Sequence, residues 1–220
     1  MSDYSDFITT IAEWANRQDW SPQLVGTFVR DAEAKLNSEL RIDRMIQFDE
    51  SEITQRNVAL PDDWLEMDLV LIQDPTLNSG WRPLRYMYRD QFFRFPDAPY
   101  MGSGDNWQST VGRYTIEGRQ IYIGGPPQDI STNGNIVRIA YYGEVPVFSD
   151  TVDSWVYTKF PSLYRYAALM HADLHAVGEE DAAGLMKQLA EDAINKLNAN
   201  HQHARASGSL LTRRPMRSFG

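Results

Sequence analysis

Two histidines have the type and spacing that could bind a metal. His171 and His175 stand four positions apart, which places two imidazoles on one face of a helix. A zinc-protease helix also needs a glutamate directly after the first histidine, and Ala172 occupies that position. A metal hydrolase built on these histidines remains an alternative. Because no complete catalytic constellation is visible, we expect a protein that is not an enzyme and holds no metal or cofactor.

The last twenty residues, 201–220, are basic and read HQHARASGSLLTRRPMRSFG. They carry four arginines and no acid, whereas the other 200 residues hold the remaining 17 of the 21 basic residues against all 30 acidic ones. That leaves the body at −13 within a chain of net charge −9. The segment has too few apolar residues to join the core of the body. We expect an extended C-terminal arm that either is disordered or becomes ordered on a partner.

Aromatic and arginine side chains alternate over residues 81–100. This composition is typical of core lining or of a protein–protein surface, and both interpretations stay open. It also suits single-stranded nucleic acid, although the acidic body disfavours phosphate binding. The alternative function is therefore a nucleic-acid-binding module that uses the arginine-rich tail and this region. The candidate partner-binding residues are Phe92, Phe93, Arg94, Phe95 and Tyr100.

The elements that must position these residues indicate an α+β fold. Helical periodicity predicts helices over residues 4–16, 21–45, 162–176 and 179–200. Between the two helical pairs, the pattern predicts strands over 65–72, 81–88 and 135–142, a hairpin over 113–123, and a long loop over 89–104. The simplest arrangement packs the two helical pairs as a bundle, with the β segment as a separate lobe. The predicted divisions are helices 1–46, a β-rich insert 47–148, helices 149–200 and an extended arm 201–220.

Composition narrows the class of protein further. The chain has 220 residues, of which 42% are apolar, so it can bury a core. It contains no cysteine, which excludes disulfides and thiol chemistry. The longest apolar runs are too short for a membrane span, and the acidic, polar N-terminal residues are not typical of a secretory signal. We therefore expect no membrane partner.

Five segments together resemble the head-to-tail adaptor proteins of short-tailed phages, in particular the group with a β-rich insert between helical pairs. Two lie in the N-terminal helices and one in the third long helix, and the others lie in the insert. The segments are residues 7–14 (FITTIAEW) with 16–19 (NRQD), 28–37 (FVRDAEAKLN) with Leu40 and Arg41, 60–66 (LPDDWLE), 114–118 (YTIEG) with Gln120, Ile121, Pro126, Tyr141 and Tyr142, and 164–169 (YRYAAL). Residues 96–110 match no motif of the family.

The resemblance implies a structural protein of the virion, located at the capsid–tail junction and assembled in the host cytoplasm. It implies a ring, most often of twelve copies, that docks beneath the portal protein and carries tail nozzle or fibre proteins. Genomic DNA would pass through this ring without specific binding, since an acidic wall offers no phosphate contacts. The arm would bind the portal through arginines and apolar anchors. These residues are Arg205, Leu210, Leu211, Arg213, Arg214, Met216, Arg217 and Phe219.

Overall fold

The protein is described by a computed structural model covering residues 3–53, 57–73, 80–94, 112–124, 136–176 and 180–211, with side chains omitted at 3, 180 and 206–211. Over these residues the elements in chain order are α1 (Asp3–Trp14), α2 (Pro22–Glu39), a 3₁₀ turn (Asp43–Met45), β1 (Ile46–Glu52), β2 (Asn57–Ala59), β3 (Trp64–Gln73), β4 (Trp81–Pro83), β5 (Arg85–Tyr86), α3 (Arg89–Arg94), β6 (Arg113–Glu117), β7 (Gln120–Gly124), β8 (Ile136–Gly143), α4 (Trp155–Lys159), α5 (Pro161–His175) and α6 (Glu180–Leu211).

The chain divides into a helical unit, residues 1–45 and 144–220, and a β unit, residues 46–143. The predicted α+β class is confirmed. The chain enters the β unit at β1 and leaves it at the end of β8. These two strand ends are adjacent, since Ile46 pairs with Tyr142. A compact insert with neighbouring ends can fold on its own core without breaking the core of its host.

In the helical unit, α5 packs against α1, α2 and α6, so helices from both ends of the chain share one core. Ser21 caps α2 by accepting a hydrogen bond from the backbone N–H of Leu24, and Pro22 opens its first turn. Helix α2 ends at Glu39, before the predicted end near residue 45, because Leu40 takes an extended backbone conformation. The Arg41 guanidinium then donates to the carbonyl oxygens of Asn37 and Leu40 at 2.9 and 2.7 Å.

Over its described residues, the β unit contains two four-stranded sheets. The first has the strand order β1-β8-β3-β4 and the second the order β2-β7-β6-β5. One face of each sheet contributes to a shared apolar core that includes Val70, Ile72, Ile121, Ile123 and Ile139. The predicted hairpin is present as β6 and β7. Gly118 has a φ of 60° at the first position of its two-residue turn, a conformation that glycine adopts readily.

Several elements differ from the sequence predictions. Residues 89–94 form the helix α3 and not a loop, and β1, β2 and α4 were not predicted. Helix α6 continues eleven residues past the predicted end at residue 200, so residues 201–211 are helical and not extended. At about 1.5 Å per residue, this 32-residue helix is about 48 Å long.

Candidate protein-interaction surfaces

The C-terminal helix α6 is fixed to the helical unit near residue 200. Asn198 accepts a hydrogen bond from the Arg41 backbone N–H at 2.8 Å, and it donates to the Glu39 carbonyl oxygen at 2.8 Å. One turn later, the buried His201 places Nδ1 2.9 Å from the Asp43 carboxylate. Asn198 therefore pairs with the Glu39 carbonyl and the Arg41 N–H at the C-terminal end of α2, and these two bonds hold α6 against that end.

Beyond His201 the helix leaves the packed part of its unit. Residues 202–205, including Arg205, are exposed, and the backbone stays helical through Leu211. Of the predicted arm residues, Leu210 and Leu211 therefore lie in the last turn of α6. The others lie outside the described residues, namely Arg213, Arg214, Met216, Arg217 and Phe219.

A second surface surrounds α3 on the outer face of the second sheet. Phe92 is buried, whereas Phe93 is 42% and Tyr88 71% exposed. The Phe93 ring centroid lies 5.5 Å from that of Tyr122, and the exposed Arg94 ends the helix. The predicted partner-binding residues thus separate into one core residue, Phe92, and two exposed ones, Phe93 and Arg94. Phe95 and Tyr100 lie outside the described residues.

Helix α3 can lie this close to the sheet because position 124 has no side chain. A Cβ at Gly124 would lie 2.7 Å from Arg113 Nε and 2.9 Å from a ring carbon of Phe92. Such distances require a neighbouring side chain to move. Gly124 therefore creates the space in which the buried Arg113 and Phe92 seat α3 on the sheet.

A third surface, not found by sequence reasoning, lies on the outer face of the first sheet. Phe48 and Leu69 both pair with Ala140, so the three side chains form one row across β1, β8 and β3. Phe48 is 69% and Leu69 39% exposed, while Ala140 between them is only 4% exposed. The only sequence signal was one aromatic residue within the acidic segment 46–52.

Inside the helical unit, a buried carboxylate joins α2 to α5. Glu33 is 5% exposed and accepts hydrogen bonds from the Tyr164 hydroxyl at 2.5 Å and from the Phe148 backbone N–H at 2.6 Å. Burial raises the pKa of Glu33, while both hydrogen bonds act in the opposite direction by favouring the charged form. Burial, together with the Glu33 hydrogen bond, also raises the pKa of Tyr164. This network fixes the relative position of α2 and α5, and α6 packs against α5.

The two histidines considered as metal ligands lie in α5. The His175 ring packs against Trp20 and Phe28, at centroid distances of 6.1 and 5.4 Å. Burial lowers the pKa of His171, which favours its neutral form. In the part of the chain that the structure describes, no group of three or more histidine and acidic side chains is arranged to hold a metal ion.

Comparison of the sequence with known protein families identifies the class of protein that carries these surfaces. The sequence matches the model of a family described as SU10 adaptor protein over residues 2–216. The chain belongs to this family. The predicted resemblance to phage head-to-tail adaptors is confirmed, and the match extends into the basic segment as far as Met216. No curated protein matches the chain.

Membership in the SU10 adaptor family indicates which kinds of protein these surfaces could contact. It assigns the chain a structural role in a phage virion, in contact with portal and tail proteins. Within the residues described, no helix is long and apolar enough to cross a membrane. The exposed residues 202–205 of α6, the α3 surface and the outer face of the first sheet are therefore candidate contacts with other proteins of the particle.

Proposed function

We propose that this SU10-family adaptor forms a ring of twelve copies that docks beneath the portal and extends the DNA channel toward the tail. The match over residues 2–216 carries this proposal, because it includes both units and most of the basic C-terminal segment. Tail nozzle or fibre proteins would bind the side of the ring away from the portal. The ring would take its place at the capsid–tail junction after assembly in the host cytoplasm.

The contact with the portal is assigned to residues 201–220. Helix α6 is held at Asn198 and His201 and then continues with exposed residues, so it can carry the segment away from its own core. The segment brings four arginines and the apolar residues Leu210, Leu211, Met216 and Phe219. An acidic, partly apolar groove on the portal is the complementary surface. Several arms acting together would bind more strongly than one arm, because later arms bind at a high effective concentration.

The acidic body suits the wall of a DNA channel. Without the last twenty residues it carries −13, so it offers few cations for phosphate groups to bind. The nucleic-acid-binding alternative is not favoured by the arginines around α3. Arg89 pairs with Glu117, and Asp90 lies beside it on the same surface.

The proposal is tested by removing residues 212–220 and measuring binding to the purified portal protein of the same phage. This deletion leaves α6 intact through Leu211, so the folded units should keep their thermal stability. We expect loss of portal binding and loss of particle assembly. Binding and assembly at the level of the intact chain would refute the role of the arm.

Two further variants separate charge from apolar contact. Replacing Arg213, Arg214 and Arg217 by glutamine should weaken portal binding and flatten its salt dependence, because the charged contribution is lost. Phe219→Ser should weaken binding while leaving the salt dependence unchanged. Measuring double-stranded DNA binding at low salt tests the alternative, which requires strong, salt-sensitive binding by the isolated protein.

A further inference from the structure

The β unit has two different surfaces on opposite sides. The acidic sheet face lies on the outer side of the first sheet and consists of Phe48, Glu50, Glu52, Glu66 and Leu69. The α3 surface lies on the outer side of the second sheet and consists of Arg89, Asp90, Phe93, Arg94 and Glu117. The shared core of the unit lies between the two sheets, so these surfaces face away from each other.

The acidic sheet face has a notch with acidic surroundings. Ala140 forms its floor, and the exposed Phe48 and Leu69 form its walls, because all three lie in one cross-strand row. On the same face, Glu50 pairs with Arg138, whose guanidinium lies over Trp81 at 4.1 Å, while Glu52 is exposed at the end of β1. The surface therefore offers an apolar recess bordered by carboxylates.

The α3 surface offers an exposed aromatic ring beside an exposed cation. Phe93 is 42% exposed, and Arg89 on the same surface is already paired with Glu117. The exposed Arg94 lies one residue from Phe93, and both line the same shallow depression as Arg89. Exposed aromatic residues next to arginines are the side chains that most often dominate the binding energy of protein interfaces.

The acidic sheet face is not suited to pair with itself. Its cation Arg138 already pairs with Glu50, so it offers no cation to the exposed Glu52 of a second copy. Pairing of unlike surfaces from opposite sides of a subunit produces a heterologous contact, which closes into a ring when the rotation allows it.

We infer that the acidic sheet face of one copy binds the α3 surface of the next copy, with Phe93 in the Phe48–Leu69 notch and Arg94 near Glu52. This inference rests on the proposed ring. It makes the β unit the part of the subunit that joins neighbours, while the arm joins the portal.

Cysteine cross-linking on the portal-bound assembly tests this contact, because the natural chain contains no cysteine. Glu52→Cys and Arg94→Cys replace the proposed ion pair but leave the apolar contact of Phe93 with Phe48 and Leu69 in place, so ring formation by the double variant is first checked by electron microscopy. With a short bismaleimide, the double variant Glu52→Cys/Arg94→Cys should give a ladder of covalent oligomers, whose highest band counts the copies. A mixture of the two single variants should give dimers as its largest product, and each single variant alone should stay monomeric.

The control double variant is Glu52→Cys/Val152→Cys, since Val152 is 43% exposed but belongs to neither surface. It should give no ladder, and a ladder from this control would overturn the inference by showing unspecific cross-linking. If electron microscopy shows that Glu52→Cys/Arg94→Cys forms a ring on the portal but the bismaleimide leaves it monomeric, the inference is wrong and the proposed function stands. If the natural chain forms no ring on the portal, the proposed function fails and the inference falls with it.

Discussion

The buried carboxylate Glu33 gives the sharpest prediction about stability. Tyr164→Phe removes the hydroxyl that donates to Glu33 at 2.5 Å but keeps the ring, which is 0% exposed and packs against Phe7 and Phe148. A hydrogen bond to a charged group contributes about 1.5–3 kcal/mol, and the carboxylate would remain buried with one donor fewer. We therefore expect the free energy of unfolding to fall by about 1.5–3 kcal/mol at pH 7.

The assay is urea unfolding followed by circular dichroism, with the stability taken from the midpoint at a constant m-value. In thermal unfolding, a loss of this size in a chain of this length corresponds to a decrease in Tm of about 3–12 °C. Tyr157→Phe is the matched control. Its ring lies in the same aromatic cluster, 4.9 Å from that of Phe148, but its hydroxyl makes no hydrogen bond within the described residues.

The control should change the stability by less than about 0.5 kcal/mol. If Tyr164→Phe and Tyr157→Phe destabilise the protein equally, the hydroxyl–carboxylate contact is not a significant source of stability. In that case Tyr164 acts only through the packing of its ring, and the account of how α2 and α5 are joined is wrong.

Three further predictions follow from individual contacts. Burial raises the pKa of Glu33 above its ordinary 4.5, so the stability that Glu33 contributes is complete below pH 4.5 and is lost as the pH rises. The free energy of unfolding of Glu33→Gln should therefore increase relative to that of the natural chain as the pH rises from 4 to 8. Urea unfolding of both proteins across that range measures this difference. Gly124→Ala should lower the free energy of unfolding by about 1–3 kcal/mol, because the added methyl group overpacks against Arg113. The control Gly184→Ala has open space around its Cβ and should stabilise α6 by about 0.5–1 kcal/mol. Thermal unfolding measures both effects. Asn198→Ala should speed amide hydrogen exchange in the second half of α6 at unchanged global fold, and unchanged exchange rates there would contradict the anchoring role.

Local patterns were enough to predict most of the helices and the hairpin. The repeat of Phe28, Ala32 and Leu36 marks the buried face of α2, and all three residues are buried in the structure. Gly118 between two alternating apolar segments marks the turn between β6 and β7. These elements depend on periodicity and turn chemistry within about a dozen residues, which a single sequence contains.

Elements that depend on distant contacts were missed or misplaced. Strand β1 contains three acidic residues, which have low strand propensity, and it forms because it pairs with β8 about ninety positions later. Helix α6 passes residue 200, although Ser207, Gly208 and Ser209 are poor helix formers, after Asn198 and His201 have fixed its path.

The candidate surfaces were predictable only in part. Alternating aromatics and arginines identified the region around α3, but they could not separate the buried Phe92 from the exposed Phe93. Which of the two rings is buried depends on Gly124, about thirty positions after Phe92, because Gly124 determines how closely α3 approaches the sheet. The acidic sheet face escaped detection because it combines residues from β1, β3 and β8, and only the register of the sheet places them together.

Electron cryomicroscopy of the purified protein mixed with its portal tests the central claim most directly. The account predicts a closed ring of adaptor subunits beneath the portal, with the segment after α6 of each copy lying on the portal surface. A complex in which the adaptors form no ring, or in which residues 212–220 make no contact with the portal, would contradict it.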